Sequence, residues 1–367
     1  MQSLRFPSLL FVLIPLLIGS CTSPDPFENF VSQQSDSLVG HSELSSISVG
    51  ILKNGKVYTF HQGQLLTGES PNNETLYEIA SLTKTFTGLL LAKALHDKKV
   101  ALDDDIRDVL PREYPNLQYD GQPITYRHLV THTSGLPHLF PDTPGLFDNP
   151  NWDTLPYTIN ELQAGFTKND FWEALHEVKL NTFPGQQFSY SNVGANLLAL
   201  CVEQLYEQSY EDLLKAAILD PLKMDQTFVG VSKDQQGRVA VGLNANGLEM
   251  PVRTLKEVNA EGGIVSSVAD MLAYMQFQLQ TDHPLVQLSH EGLYNGKYGG
   301  FDNGLFWQIL NSSEGPAKLF QNGGAFGTSS WMTLVPETQT GVFLITNVSG
   351  PEVHQKLSAL ADAIIAY

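Results

Sequence analysis

Ser81-Leu82-Thr83-Lys84 sets a hydroxyl and an amine three residues apart, and Tyr190-Ser191-Asn192 adds a phenol and an amide much later in the chain. Residues at i and i+3 share one face of a helix, so a helical turn here brings Lys84 to the Ser81 hydroxyl. Ser81 would then sit at a helix N-terminus, where unpaired N–H groups and the macrodipole favour developing negative charge. An amine held in an apolar site loses basicity and acts as a base near neutral pH. Nucleophile, amine, phenol and amide together describe a serine acyl-transfer site that uses no histidine. Alone, Ser-x-x-Lys is a weak signal, expected about once by chance in a chain this long.

The elements around these residues strengthen it. After Ser81 the chain stays mostly apolar to Leu95, with only Lys93 charged beyond Lys84, so 81–96 reads as a buried helix. A lysine at its start needs a function, because burying an unpaired ammonium is costly. Upstream, apolar runs 47–52 and 56–61 flank Asn54-Gly55, the strongest short hairpin signal. From 101 to about 228 the patterns are helical, broken by a Pro/Gly/Asp-rich loop, 137–156, long enough to roof an active site. Ser267-Val268-Ala269-Asp270 has the form of a capping box and opens an amphipathic helix to about 279. Segments 307–310, 331–335 and 342–346 read as strands. The expected fold is α+β: an antiparallel sheet flanked by helices, with an inserted all-helical region and the site between them.

Ser-x-x-Lys marks β-lactamases and penicillin-binding proteins. The chain resembles the β-lactamase-related serine hydrolases close to class C β-lactamases and D-Ala-D-Ala carboxypeptidases. The segment from Ile124 to Pro137, with Thr131-His132-Thr133-Ser134-Gly135 at its centre, carries much of that resemblance. Phe183-Pro184-Gly185, Pro221-Leu222-Lys223-Met224 and Gly262-Gly263-Ile264-Val265-Ser266 follow in family order. The resemblance implies the same fold and a two-step mechanism. Ser81 attacks a carbonyl, Lys84 and Tyr190 take and relay the proton, Asn192 orients the substrate amide, and water resolves the acyl-enzyme.

The third motif departs from the family pattern. Where the family shows Lys-Thr-Gly or His-x-Gly, this chain has Gln321-Asn322-Gly323-Gly324. Gly323 fits, and Gly324 takes the position whose backbone N–H completes an oxyanion hole with that of Ser81. Backbone donors survive side-chain change. Gln321 carries no positive charge, though, and the family uses that position to assist the tyrosine and attract a substrate carboxylate. Gln321, Asn322, Gly323 and Asn192 are therefore the expected substrate-binding residues.

Composition bounds the rest. The 367-residue chain is 42% hydrophobic and 16% charged, which is globular rather than disordered. A formal net charge of −18 argues against nucleic-acid partners and against adsorption to anionic membranes. Asp103-Asp104-Asp105 reads as capping or solvation. His128 and His132 stand at i, i+4, where one helix face would carry both towards a zinc ion, but the residues between them offer no glutamate base, so no metal is expected, and nothing calls for a cofactor. No Gly-x-Ser-x-Gly elbow is present, which removes the α/β-hydrolase reading. Gly323-Gly324 and Gly327 lack the Gly-Lys-Ser/Thr of a phosphate cradle.

Arg5 precedes an apolar run, 6–18, too short to span a membrane. It ends Ile18-Gly19-Ser20-Cys21, which resembles a bacterial lipobox: 1–20 a signal peptide and Cys21 the lipidated residue. Residues 21–40 read as a flexible tether and 41–367 as the hydrolase domain, with its helical insertion at about 101–228. The protein is thus expected to be exported and lipid-anchored, on the periplasmic or outer-membrane face. Cys201, in an apolar helix, reads as a buried thiol. The functional expectation is a serine hydrolase acting on peptidoglycan-type D-amino-acid peptides, β-lactams or small esters. The alternative is a surface lipoprotein, catalytically weakened at Gln321, that keeps the fold for binding.

Overall fold

A computed structural model describes residues 25–40, 44–232, 235–253, 255, 257–294, 301–313 and 315–367. Its frame is a seven-stranded antiparallel sheet. The strands are β1 (Ser46–Lys53), β2 (Lys56–Gly63), β3 (Asp302–Asn303), β4 (Gln308–Leu310), β5 (Lys318–Gly324), β6 (Ser329–Val335) and β7 (Thr340–Thr346). Across the sheet the order is β2-β1-β7-β6-β5-β4-β3. Asn54 and Gly55 both have positive φ, 53° and 73°, the requirement for the two-residue turn that joins β1 to β2. Expected strands at 307–310, 331–335 and 342–346 lie in β4, β6 and β7.

Both faces of the sheet are covered. On one lie α1 (Pro26–Gly40) and the C-terminal helix α9 (Pro351–Ala366), packed over Ile47, Val49 and Ile51 of β1 and Val342 and Leu344 of β7. On the other lies the larger core, which includes α2 (Thr83–His96), α6 (Asn192–Tyr206) and α7 (Val268–Gln278). Almost every residue of α2 from Thr83 to Ala94 is buried, as an all-round apolar helix requires. The inserted region carries α3 (Tyr126–Val130), α4 (Leu155–Gln163), α5 (Lys168–His176), α6 and a helical run at 210–222, with one small hairpin at 118–123. A further helix, α8 (Pro284–His290), packs on α2.

Three expectations need correction. Residues 26–40, read as tether, form the folded helix α1, which buries Phe27, Val31 and Ser35. Burying Phe27 and Val31 contributes about 1.5–3 kcal/mol each, enough to hold an otherwise polar segment on the sheet. The capping box at Ser267 is half made. Ser267 Oγ accepts from Asp270 N, but the Asp270 carboxylate instead accepts from Gln226 N and Thr227 Oγ1 of another segment. His128 and His132 do not share a helix face, because α3 ends at Val130 and His132 is left-handed, φ 54°.

The acidic run behaves as expected. Asp105 caps Arg107 N, Asp104 accepts from Ala101 N, and Asp103 pairs with Arg127. Cys201 is a free, buried thiol, and burial pushes its pKa up. Cys21 and the apolar run before it lie outside the described residues, among which no helix is long and apolar enough to cross a membrane.

Candidate active site

Ser81, the expected nucleophile, sits in a single 3₁₀ turn, Ala80–Leu82, that feeds directly into α2. Ala80 is left-handed, φ 51°, an uncommon and strained conformation for a residue with a β-carbon. Thr328 Oγ1 donates to the Glu78 carbonyl at 2.8 Å and Ser330 Oγ to the Ile79 carbonyl at 2.9 Å, fastening this strained turn to the sheet. Gly323 matters here by its lack of a side chain. A β-carbon at that position would lie 2.2 Å from the Ile79 carbonyl oxygen and 3.0 Å from Ser81 N, so only glycine lets β5 approach the nucleophile turn.

Lys84 lies one turn on and is fully buried. Its Nζ donates to Ser81 Oγ at 3.1 Å, to Asn192 Oδ1 at 2.7 Å and to the Glu261 backbone carbonyl at 2.6 Å. As an ammonium it has one donor for each of these partners; as the free amine it has two and a lone pair able to take a proton from Ser81 Oγ. Nζ also stands 4.8 Å from the centroid of the Tyr190 ring, a cation–π distance. Tyr190 OH lies 2.7 Å from Ser81 Oγ. Amine, hydroxyl and phenol therefore form one continuous hydrogen-bonded chain.

The segment around residues 132–138 holds Tyr190 in place. Ser191 caps α6 through Gly194 N at 2.9 Å and donates to the Pro137 carbonyl at 2.6 Å. Asn192 N donates to the His138 carbonyl at 2.8 Å. His132 Nδ1 accepts from Ser191 N at 3.2 Å, and its ring lies 4.4 Å from the Tyr190 ring. His138 Nδ1 is 3.3 Å from the Tyr190 carbonyl oxygen. Burial, reinforced by the nearby Lys84 charge, lowers the pKa of both imidazoles and keeps them neutral. His128 holds Thr125 in the cap of α3. The histidines thus support the phenol, and no group of side chains suited to a metal occurs among the described residues.

Behind Lys84 lies a buried ion pair that the sequence did not disclose. Arg253 Nη1 and Nη2 meet Glu261 Oε2 and Oε1 at 2.9 and 2.6 Å. Burial alone would raise the Glu261 carboxyl, but the charge and hydrogen bonds of Arg253, with Lys84 beyond, outweigh it and hold the group below the usual range. Arg253 N also donates to Glu78 Oε1 at 3.3 Å. One residue thereby links the strand before Ser81 to the carbonyl that anchors Lys84.

Ser81 opens into a cleft of about 210 Å³. One wall is aromatic, made by His132, Phe188, Tyr190 and Phe306, and the other is a set of amides, Asn303, Gln308, Gln321 and Asn322. Gly324 lines it as well. The structure therefore brings Ser81, Lys84, Tyr190 and Asn192 together and sets Gln321, Asn322 and Gly324 in the same cleft. No arginine or lysine is among the described residues that line it. Sequence reading missed Phe188, Asn303, Phe306, Gln308, Arg253, Glu261 and His354, whose Nε2 is 3.0 Å from the Gly323 carbonyl oxygen.

A serine hydrogen-bonded to a buried lysine at the start of a helix beneath an antiparallel sheet defines a class, and the comparison with known proteins agrees. The family model for β-lactamases matches residues 27–366; the chain belongs to that family, and it is a serine hydrolase. Among curated relatives, Protein flp of Staphylococcus aureus strain MRSA252 is 28% identical over 355 residues, covering 92% of this chain and 67% of its own. The D-alanyl-D-alanine-carboxypeptidase/endopeptidase AmpH of Escherichia coli K12 is 27% identical, with 89% of this chain and 86% of its own covered. The fold is shared with a β-lactamase/D-alanine carboxypeptidase from Yersinia pestis, solved with citrate, at TM-score 0.73 and 24% identity over 92% of this chain and 98% of that one. It is shared also with a class C β-lactamase at TM-score 0.76 and 21% identity, over 94% and 98%.

Proposed function

We propose that this protein hydrolyses D-amino-acid peptides, β-lactams or small esters through an acyl-enzyme on Ser81, and prefers substrates without a carboxylate at the third motif. The chain Lys84 Nζ–Ser81 Oγ–Tyr190 OH supports the first part most directly. As Ser81 Oγ attacks the carbonyl carbon, its proton passes to Tyr190 or Lys84 and then to the leaving group. The acyl group stays on Ser81 until a water, deprotonated by the same pair, displaces it. The backbone N–H groups of Ser81 and Gly324 would hold the developing oxyanion, with Asn192 on the substrate amide. The neutral Gln321 favours the second part. It also favours the alternative, a lipoprotein of weakened turnover. Cys21, if lipidated, places the enzyme on a membrane surface with only residues 22–25 between lipid and α1.

A fluorophosphonate probe, read by intact mass, tests the nucleophile. One adduct is expected on wild type, none on Ser81→Ala and almost none on Lys84→Ala, since residues acting as a unit fail together. Equal labelling of Ser81→Ala would overturn the assignment. Labelling of wild type without turnover of a nitrophenyl ester would favour the binding lipoprotein.

A further inference from the structure

We propose that Gln308 and Gln321 act as one specificity element that reads a carboxamide or peptide amide in the substrate, because their mutual hydrogen bond leaves amide N–H groups and one amide oxygen uncommitted on two residues that line the cleft. The inference rests on the reading of Ser81 as nucleophile and names the group recognised beside it.

The two residues lie on neighbouring antiparallel strands, β4 and β5. Gln321 Oε1 accepts from the backbone N–H of Asn322 at 3.2 Å and from Gln308 Nε2 at 3.1 Å. A backbone N–H only donates, so the atom facing it must be the amide oxygen, and the orientation of Gln321 follows from chemistry. That fixes Gln308 in turn, since only its NH₂ can meet an oxygen. Gln321 Oε1 has both lone pairs engaged, so this side chain has its Nε2 hydrogens left to offer. Gln308 has committed one N–H to its neighbour and keeps its second N–H and Oε1.

Both residues line the cleft that holds Ser81, and Gln321 is only 4% exposed. A substrate group reaching this wall therefore meets N–H donors and an amide oxygen, with the amides of Asn303 and Asn322 alongside. A carboxylate has acceptors only. It satisfies the N–H groups but sets an anion against the Gln308 oxygen, with no cation among the described lining residues to offset it. A carboxamide or a peptide link presents C=O and N–H together and satisfies both. Discrimination of this kind depends on buried polar groups left unmatched by the wrong ligand.

The test uses the full chain and a matched pair of competitive inhibitors of nitrophenyl acetate hydrolysis, N-acetyl-D-alaninamide and N-acetyl-D-alanine. The amide is expected to bind about tenfold tighter, one hydrogen bond's worth. Gln308→Met, close in size and without polar atoms, should bring the ratio to about one. Gln321→Lys should reverse it towards the carboxylate. Fluorophosphonate labelling of each variant reports that its site is intact. A wild-type preference for the carboxylate, no inhibition by either compound, or a ratio unmoved in Gln308→Met would overturn the inference. Ester hydrolysis that survives in Ser81→Ala would instead remove the nucleophile reading on which it stands.

Discussion

Replacing Glu261 by glutamine should destabilise the protein far more than a single surface charge could. Glu261 is 3% exposed as a side chain and Arg253 17%, and the two meet through paired contacts of 2.9 and 2.6 Å. Removing one member of a buried pair leaves the other desolvated without its directly bonded counter-charge, at a cost of about 3–5 kcal/mol. The residual exposure of Arg253 points to the lower end, about 3 kcal/mol. Gln163 Oε1, at 3.4 Å from Nη2, is a poor substitute. Urea unfolding followed by tryptophan fluorescence measures the loss. Arg253→Met should cost a similar amount, and the double variant less than the two together, because neither charge is then stranded. The pH dependence has a defined sign. The folded Glu261 pKa is depressed, so the pair stabilises above the unfolded value near 4.3 and is lost as pH falls through the folded one. The gap between wild type and Glu261→Gln should therefore be full at pH 7 and narrow progressively below about pH 4.3. Losses under about 0.5 kcal/mol that simply add would show the pair to be screened like a surface one, and the reasoning would fail.

Two further outcomes are expected. His354 Nε2 donates to the Gly323 carbonyl, and in a trans peptide the Gly324 N–H points the opposite way. His354→Leu should lower kcat about tenfold, less than loss of an oxyanion donor itself, with KM little changed and His354→Gln restoring it; an unchanged kcat refutes that role. The full-length protein made with its N-terminal segment should partition into detergent and gain lipid mass on Cys21, whereas a chain beginning at Asp25 should stay aqueous and equally active. Identical partitioning of the two would refute the anchor.

What could be read from sequence was what chemistry fixes locally. The Ser81–Lys84 spacing, the Asn54-Gly55 turn and the apolar run of α2 each follow from neighbours along the chain, and each took its expected form. The residues missed are set by contacts between distant segments. Nothing near Arg253 or Glu261 marks them as partners, and only folding places the Glu261 carbonyl over Lys84. His354 belongs to the last helix, and its link to the third motif depends on how α9 crosses β6. The helix α1 was hidden by its Ser, Gln and Asp content, although Phe27, Phe30 and Val31 recur at helical spacing. Asp270 shows the same limit at one residue: its side chain had a local role available and took a partner from another segment.

The position of β1 has a consequence for when the enzyme comes into being. It lies between β2, its neighbour in sequence, and β7, near the end of the chain, with Ser48 opposite Ile345. Until the final strands are made, one edge of the N-terminal hairpin has no partner, and β5 is not there to meet the turn carrying Ser81. Pairing over so long a separation is slow to form. A chain threaded through a membrane from its first residue would therefore carry Ser81 and Lys84 across well before they could act on anything. The hydrolase would assemble only after β5, β6 and β7 had joined it on the far side.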